Sequence, residues 1–350
     1  MESLIDRFGE PALMCAFGAL VGVFFGAAAQ RSRFCLRAAA AELAEGIASA
    51  RLAIWLVAFF AALAAVQISV AAGWFDPSGV RQLAATGSLS GAVIGGLMFG
   101  AGMILARGCV SRLLVLSATG NLRAIVTGLV VTIVAQASLR GVLAPAREGL
   151  AGLWTVPGGD GRLLGGGVPV AVWAGVAVAA LCAAVVFGRR RGVPFAELIA
   201  AAVVGFAVFG GWALTYALST VSFEVIAVQS VTFTGPSTDT LMALVGERDV
   251  VPSFGLGLVP GVFVGAMVMA LLRGEASVQR FGADTPMERY LIGGALMGFG
   301  SMLAGGCAVG AGMTGGSVMA LTAWIAVFCM WVGAMATHTV LRAAPAPRGA

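Results

Sequence analysis

The stretch LIGGALMGFGSMLAGGCAVGAGMTGGS (residues 291–317) decides the fold of this chain. It opens as an apolar run with Gly294 and Gly298 one helical turn apart, meets Cys307, and then carries Gly310, Gly312, Gly315 and Gly316. The run is too apolar for a solvated loop, and each such glycine costs an ordinary helix about 1 kcal/mol. Irregular backbone survives at membrane depth only where protein buries it or it lines an aqueous cavity. The segment therefore predicts a membrane helix that breaks at Cys307, followed by a re-entrant turn with exposed N–H groups. Such groups, like helix N-termini, attract anions.

The rest of the chain agrees with a membrane setting. Of 350 residues, 59% are hydrophobic and 11% charged, against about 25% charged in an average soluble domain. The mean hydropathy is +0.98. This balance excludes a cytosolic enzyme, a disordered chain and a disulfide-stapled secreted domain. A spanning helix needs about 20 mostly apolar residues. Such runs fall at 11–30, 52–74, 88–106, 122–139, 168–187, 195–218, 254–272, 290–306 and 318–341. The stretch 220–235 is apolar but carries Glu224, Gln229 and Thr232, so it reads as short helices or a re-entrant segment. The expected fold is an all-α polytopic membrane protein with about nine transmembrane helices and short re-entrant ones. It is expected to form a single transmembrane domain over 1–350, with halves 11–187 and 195–341 as internal pseudo-symmetric repeats.

Charge sets the expected orientation. Glu2, Asp6 and Glu10 are not the basic start of a cleavable signal, so the first apolar run is expected to remain as a helix. The net charge of +5 does not indicate nucleic-acid binding, because no soluble stretch is long enough to carry a basic domain. With the N-terminus outside, only Arg7, Arg81, Arg140, Arg147, Arg162 and Arg248 face outward, and the rest of the 21 basic residues, Arg348 included, lie inside. The positive-inside rule then gives an N-out, C-in topology.

Three segments share the pattern G-x3-G-x8-C: Gly22, Gly26 and Cys35; Gly96, Gly100 and Cys109; Gly294, Gly298 and Cys307. A weaker fourth copy runs from Phe206 through Gly210 to Ser219. The glycines place small residues on one helix face and permit close helix packing. Cys15, Cys182 and Cys329 sit among Ala, Val and Phe and read as small packing hydrophobes. Packing is also open to Cys35, Cys109 and Cys307, but their shared place at a helix end favours a role along a pathway. No CxxC pair, no metal-ligand spacing and a single histidine, His338, accompany them.

The neighbours of these cysteines are candidates too. Gln30, Arg31, Arg33 and Arg37 flank Cys35, while Arg107 and Arg112 flank Cys109. The arginines serve either as a topology signal or as a positive vestibule that salt would screen. In VTFTGPSTDT (231–240), Thr232, Thr234, Gly235, Pro236 and Ser237 read either as a capping turn or as a broken segment offering hydroxyls. Gly306 and Gly310 belong to the break at Cys307, and Glu224 is an intramembrane polar candidate.

QRSRFCLRAA (30–39), ARGCVSR (106–112), FTGPSTDTL (233–241) and GGCAVGAGMTGGS (305–317) resemble the signatures of the YeeE/YedE family of bacterial membrane proteins. The resemblance runs through nearly the whole chain in order. It implies thiosulfate uptake across the bacterial inner membrane, through short helices that meet at mid-depth. It also implies that Cys35, Cys109 and Cys307 line the central route, and that a separate TusA-like sulfur carrier is a possible partner. No cofactor is implied, and the chain is expected not to be an enzyme. Thiosulfate is a dianion with a large, soft terminal sulfur, and a thiol is a weak donor and weak acceptor. Weak S–H···S stations admit and release such an ion, as conduction requires. Another sulfur or selenium cargo fits the same motifs. A membrane thiol oxidoreductase or sulfurtransferase fits less well, since such chemistry needs an activated thiolate with a resolving group nearby. Copper passage would use the 14 methionines, but no clustered thioether or thiolate motif supports it.

Overall fold

A computed structural model describes residues 2–222, 224–246, 250–280 and 286–343. Arg248 and Arg348, used in the orientation argument, lie outside the described residues. A short α1 (Glu2–Phe8) leads into α2 (Glu10–Ser32), α3 (Leu36–Ala44) and α4 (Ala50–Ala71). A one-turn α5 (Arg81–Ala84) precedes α6 (Leu89–Leu105), α7 (Val110–Ala118) and α8 (Leu122–Arg140). Next come α9 (Ala144–Gly152) and α10 (Val170–Arg190). The chain continues with α11 (Phe195–Ser219), α12 (Thr234–Gly246) and α13 (Phe254–Leu272), then α14 (Met287–Leu303), a π-helix (Ala308–Gly315) and α15 (Leu321–Ala343). Four times, therefore, a long helix is followed by a short one and another long one.

Local sequence sets these boundaries. Ser49, Ser88, Asn121 and Ser253 cap α4, α6, α8 and α13, each side chain accepting the N–H three residues on. Such a cap satisfies one of the free N–H groups of the first turn. Pro169, Pro194 and Pro286 stand immediately before α10, α11 and α14. Nine helical stretches among the described residues are long and apolar enough to span a bilayer, with mean hydropathy from 1.5 to 2.5. The long helix of each stretch matches one of the nine apolar runs of the sequence to within about three residues. Sheet is confined, among the described residues, to an antiparallel pairing of Gly87–Ser88 with Thr155–Val156.

Glycine decides which helices touch. A methyl at Gly18, Gly22 or Gly26 of α2 would overlap the carbonyls of Phe254, Leu258 and Val262 in α13. The relation is mutual, because Gly257, Gly261 and Gly265 press on the carbonyls of Cys15, Ala19 and Val23. Gly96 and Gly100 bring α6 onto α15, and Gly294 and Gly298 bring α14 onto α8. Without a hydrophobic drive between helices in lipid, such backbone approach is what packing can exploit. Cys182 is exposed on α10, the least buried span, whose Val172, Val176 and Val186 also face outward.

Three local expectations change. The 220–235 stretch is not a set of short helices: its described part is irregular through Phe233, and α12 begins at Thr234. Pro236 therefore lies in the first turn of a helix, where its missing N–H costs nothing, and starts the helix it was expected to stop. Beyond Cys307 the chain forms a buried π-helix and not a turn with exposed N–H groups. Its glycines let the wider coil pack: Gly310 touches Thr232, Gly312 touches Val327, and Gly315 touches Ala323. Finally, Ser219 ends α11 with its hydroxyl on the Tyr216 carbonyl. The fourth short helix starts later, and Phe233, whose carbonyl accepts the Ser237 N–H, holds the cap position that cysteines hold elsewhere.

Candidate functional site

The three repeated cysteines occupy one local geometry. Each long helix ends with an N–H bonded five residues back: Phe34 to Ala29, Gly108 to Met103, and Gly306 to Ser301. This is the closing bond of a Schellman motif, which needs a left-handed residue just before it. Arg33 (φ 53°), Arg107 (φ 55°) and Gly305 (φ 80°) supply it. Glycine takes that conformation freely, whereas a side chain there costs about 1–3 kcal/mol. Two residues on, Cys35, Cys109 and Cys307 have extended backbone and cap α3, α7 and the π-helix.

All three thiols are buried, with Cys35 7% exposed and Cys109 and Cys307 each 1%. Cys109 lies within electrostatic reach of both Cys35 and Cys307. Its sulfur stands 3.3 Å from the Ser111 hydroxyl, and the Cys307 sulfur accepts the Gly310 N–H at 3.5 Å. Each thiol thus sits at the positive end of a short helix, where free N–H groups favour an anion. The Arg112 guanidinium is near enough to Cys35 and Cys109 to act on both.

The other sequence candidates divide. Thr232 packs against Gly310 beside Cys307. It is held there because Thr215 bonds both the N–H and the carbonyl of Gln229, and the Thr314 hydroxyl bonds the Val231 carbonyl. Thr234 is 1% exposed, and its hydroxyl has no partner. A side chain at Gly306 would strike the Ala311 N–H, so the turn before Cys307 folds tightly onto the π-helix. Gln30 donates to Glu275 at 2.8 Å and accepts from Arg112 at 3.5 Å. Arg33 is exposed and pairs with Glu275 at 3.4 Å, while Arg107 is exposed on its turn.

Glu224 does not join them. It is exposed, and its backbone closes a turn on Ser222, whose hydroxyl bonds Glu10. Glu10 begins α2 and Cys35 follows its end, so 23 helical residues separate the two, about 35 Å at 1.5 Å each. The apolar sequence around Glu224 suggested membrane depth, but that stretch is not helical.

Sequence reading missed Glu275, which binds Gln30, Arg33 and Arg273. Little in its own neighbourhood marks it, since Arg273 is a local partner but Gln30 and Arg33 come from the far end of the chain. Arg112 figured only among the arginines flanking Cys109, and its place three residues along α7 was the available signal.

Comparison with known proteins places the chain in a family. The chain is 26% identical over 351 aligned residues to the thiosulfate transporter TsuA of Escherichia coli (strain K12), covering 91% of this chain and 92% of that one. Residues 31–336, which include all three capping cysteines, match the model of the sulphur transport family. With most of its length inside that match, the chain belongs to the sulphur transport (YeeE/YedE) family.

Proposed function

We propose that this protein carries thiosulfate into a bacterial cell across the inner membrane, along a route lined by Cys35, Cys109 and Cys307. The observation that carries the reading is the repeated geometry: three buried thiols, each capping a short helix, with Cys109 near the other two. Support comes from the family and from the printed name of the Escherichia coli relative.

The chemistry follows from the residues. The N-termini of α3, α7 and the π-helix offset the dianion's charge. The thiols select for the soft terminal sulfur by weak S–H···S contacts, which release the ion as readily as they bind it. Gln30, Thr232 and Thr234 supply hydroxyl and amide groups nearby, and Arg33 and Arg107 contribute positive potential. We place the N-terminus outside and the C-terminus inside from the arginine distribution. The four long–short–long units support reading 11–187 and 195–341 as repeats of one domain. A separate TusA-like carrier protein is the proposed acceptor on the inner side.

Growth on thiosulfate as sole sulfur source tests this in a host lacking its own sulfate and thiosulfate uptake. Wild type restores growth, and Cys35→Ala, Cys109→Ala and Cys307→Ala, each confirmed as expressed, lose it. Serine replacements keep size and hydrogen bonding but remove the soft sulfur, and they also fail. Full growth with all three alanine variants would refute the cysteine route. Failure of a well-expressed wild type to restore growth would move the cargo to another sulfur or selenium compound.

A further inference from the structure

Around the turn that presents Cys109, α3, α7, α8 and α14 enclose an open cavity of about 250 Å³. Arg37, Arg107 and Arg123 line it, with Asn121 and Tyr290 adding polar groups and Ala106, Leu113 and Leu116 an apolar wall. Among the described residues, no Asp or Glu lines it. Among the described residues, none of these three arginines takes part in an ion pair; Glu42, Glu45 and Glu275 are engaged by Arg51, by His338 and Arg342, and by Arg33 and Arg273.

The arginines flanking the cysteines therefore fall into two groups. Arg33 pairs with Glu275, and Arg112 joins the same cluster through the Gln30 amide. Arg37 and Arg107 join Arg123 in a cavity that no described carboxylate lines. Two of its donors, Arg37 Nε and Arg123 Nε, are buried without a hydrogen-bond partner among the described residues. A buried donor left unmade is costly, the more so on a charged group. The remaining geometry is already fixed: Arg123 donates to the Tyr290 hydroxyl at 3.3 Å and lies over its ring, and Asn121 is held by Gln279. Guanidinium forks match tetrahedral oxygen anions in shape as well as charge.

We propose that this cavity is an oxyanion site, separate from the thiols, that holds one tetrahedral anionic group between Arg37, Arg107 and Arg123. It reads charge and oxygen geometry and is indifferent to sulfur, so it does not depend on which cargo the cysteines carry. Two sources share the chemistry: a free inorganic anion and the phosphate of an anionic lipid headgroup.

Calorimetric titration of sulfate into the purified protein, held in nanodiscs of neutral phosphatidylcholine, tests the free-ion source. Arg37→Gln and Arg123→Gln each weaken sulfate binding at least tenfold, and Arg123→Lys, which keeps the charge but not the fork, falls between. A variant with alanine at Cys35, Cys109 and Cys307 keeps the wild-type affinity. The second arm uses nanodiscs containing phosphatidylglycerol, with retained lipid counted by native mass spectrometry. A headgroup occupant is retained by wild type and lost from the Arg37→Gln, Arg123→Gln double variant. The proposal is overturned if that double variant, melting like wild type, changes neither sulfate nor phosphatidylglycerol binding. It is also overturned if the cysteine variant loses sulfate as fully as the arginine variants do.

Discussion

Gln30 and Glu275 stand 245 positions apart, yet the Gln30 amide donates to Glu275 Oε2 at 2.8 Å. The same amide accepts from Arg112, and the same carboxylate takes Arg33 at 3.4 Å and Arg273 at 3.1 Å. One carboxylate thus ties the end of α2 to the segment after α13, and through Gln30 reaches α7.

The terms of this cluster differ in weight. The Gln30 bond is partly buried and charge-assisted, so Gln30→Ala should lower stability by about 1.5–3 kcal/mol. Glu275→Gln keeps an acceptor for Gln30 but releases Arg33 and Arg273. Arg33 is 61% exposed, and such solvated pairs contribute about 0–1 kcal/mol. Thermal melting of the two purified variants compares them. Glu275→Gln proving the more destabilising would mean that the ion pairs and not the amide hold the cluster.

Close backbone approach gives a second test. A methyl on Gly261 meets the Ala19 carbonyl, and one on Gly22 meets the Leu258 carbonyl, with no flexible side chain to yield. Gly261→Ala and Gly22→Ala should each cost about 1–3 kcal/mol. A methyl on Gly128, within α8, would instead enter open space, with nothing within 4 Å. Gly128→Ala should therefore gain up to about 1 kcal/mol from helix propensity. Equal melting temperatures for all three would remove the argument that glycine sets the α2–α13 distance.

The spans were legible because a lipid-facing helix must be continuously apolar, and charge or proline ends each run near its true boundary. The places of Cys35, Cys109 and Cys307 were legible because each follows the paired packing glycines of its long helix at one fixed offset. Phe233 was hidden because its unit joins the long and short helices by an irregular segment, which breaks the spacing that located the cysteines. The π-helix was hidden because its glycines are explained only by Thr232, Ala323 and Val327 packing on them. Glu275 was hidden because its links to Gln30 and Arg33 depend on tertiary folding.

The left-handed residues can be separated from their charge. Arg107→Gly removes the side chain but relieves its φ of 55°, so the folded protein should be as stable as wild type or more so, by up to about 1 kcal/mol. Gly305→Val places a β-branched side chain at φ 80° and should cost about 1–3 kcal/mol. Melting of the two variants checks both signs. Loss of stability in Arg107→Gly would mean that the guanidinium, and not the turn, is what the fold needs there.

Thr232 and Gly310 offer the closest test of the structure beside Cys307. A methyl at Gly310 overlaps the Thr232 hydroxyl oxygen, meets its Cβ at 2.9 Å, and leaves its Cα at 3.5 Å. Gly310→Ala alone should therefore cost about 1–3 kcal/mol by overpacking. Adding Thr232→Ala removes the nearest atom but leaves the Cβ, so the recovery should be partial. Adding Thr232→Gly removes both and should recover more, less the entropy that glycine adds to the unfolded chain. Contacting residues commonly couple by about 0.5–3 kcal/mol, so the double variants should be more stable than the sum of their single effects. Melting temperatures across the five variants measure this coupling. Strict additivity would place Thr232 away from Gly310, and with it would go the argument that segment 229–233 closes over the π-helix that Cys307 caps.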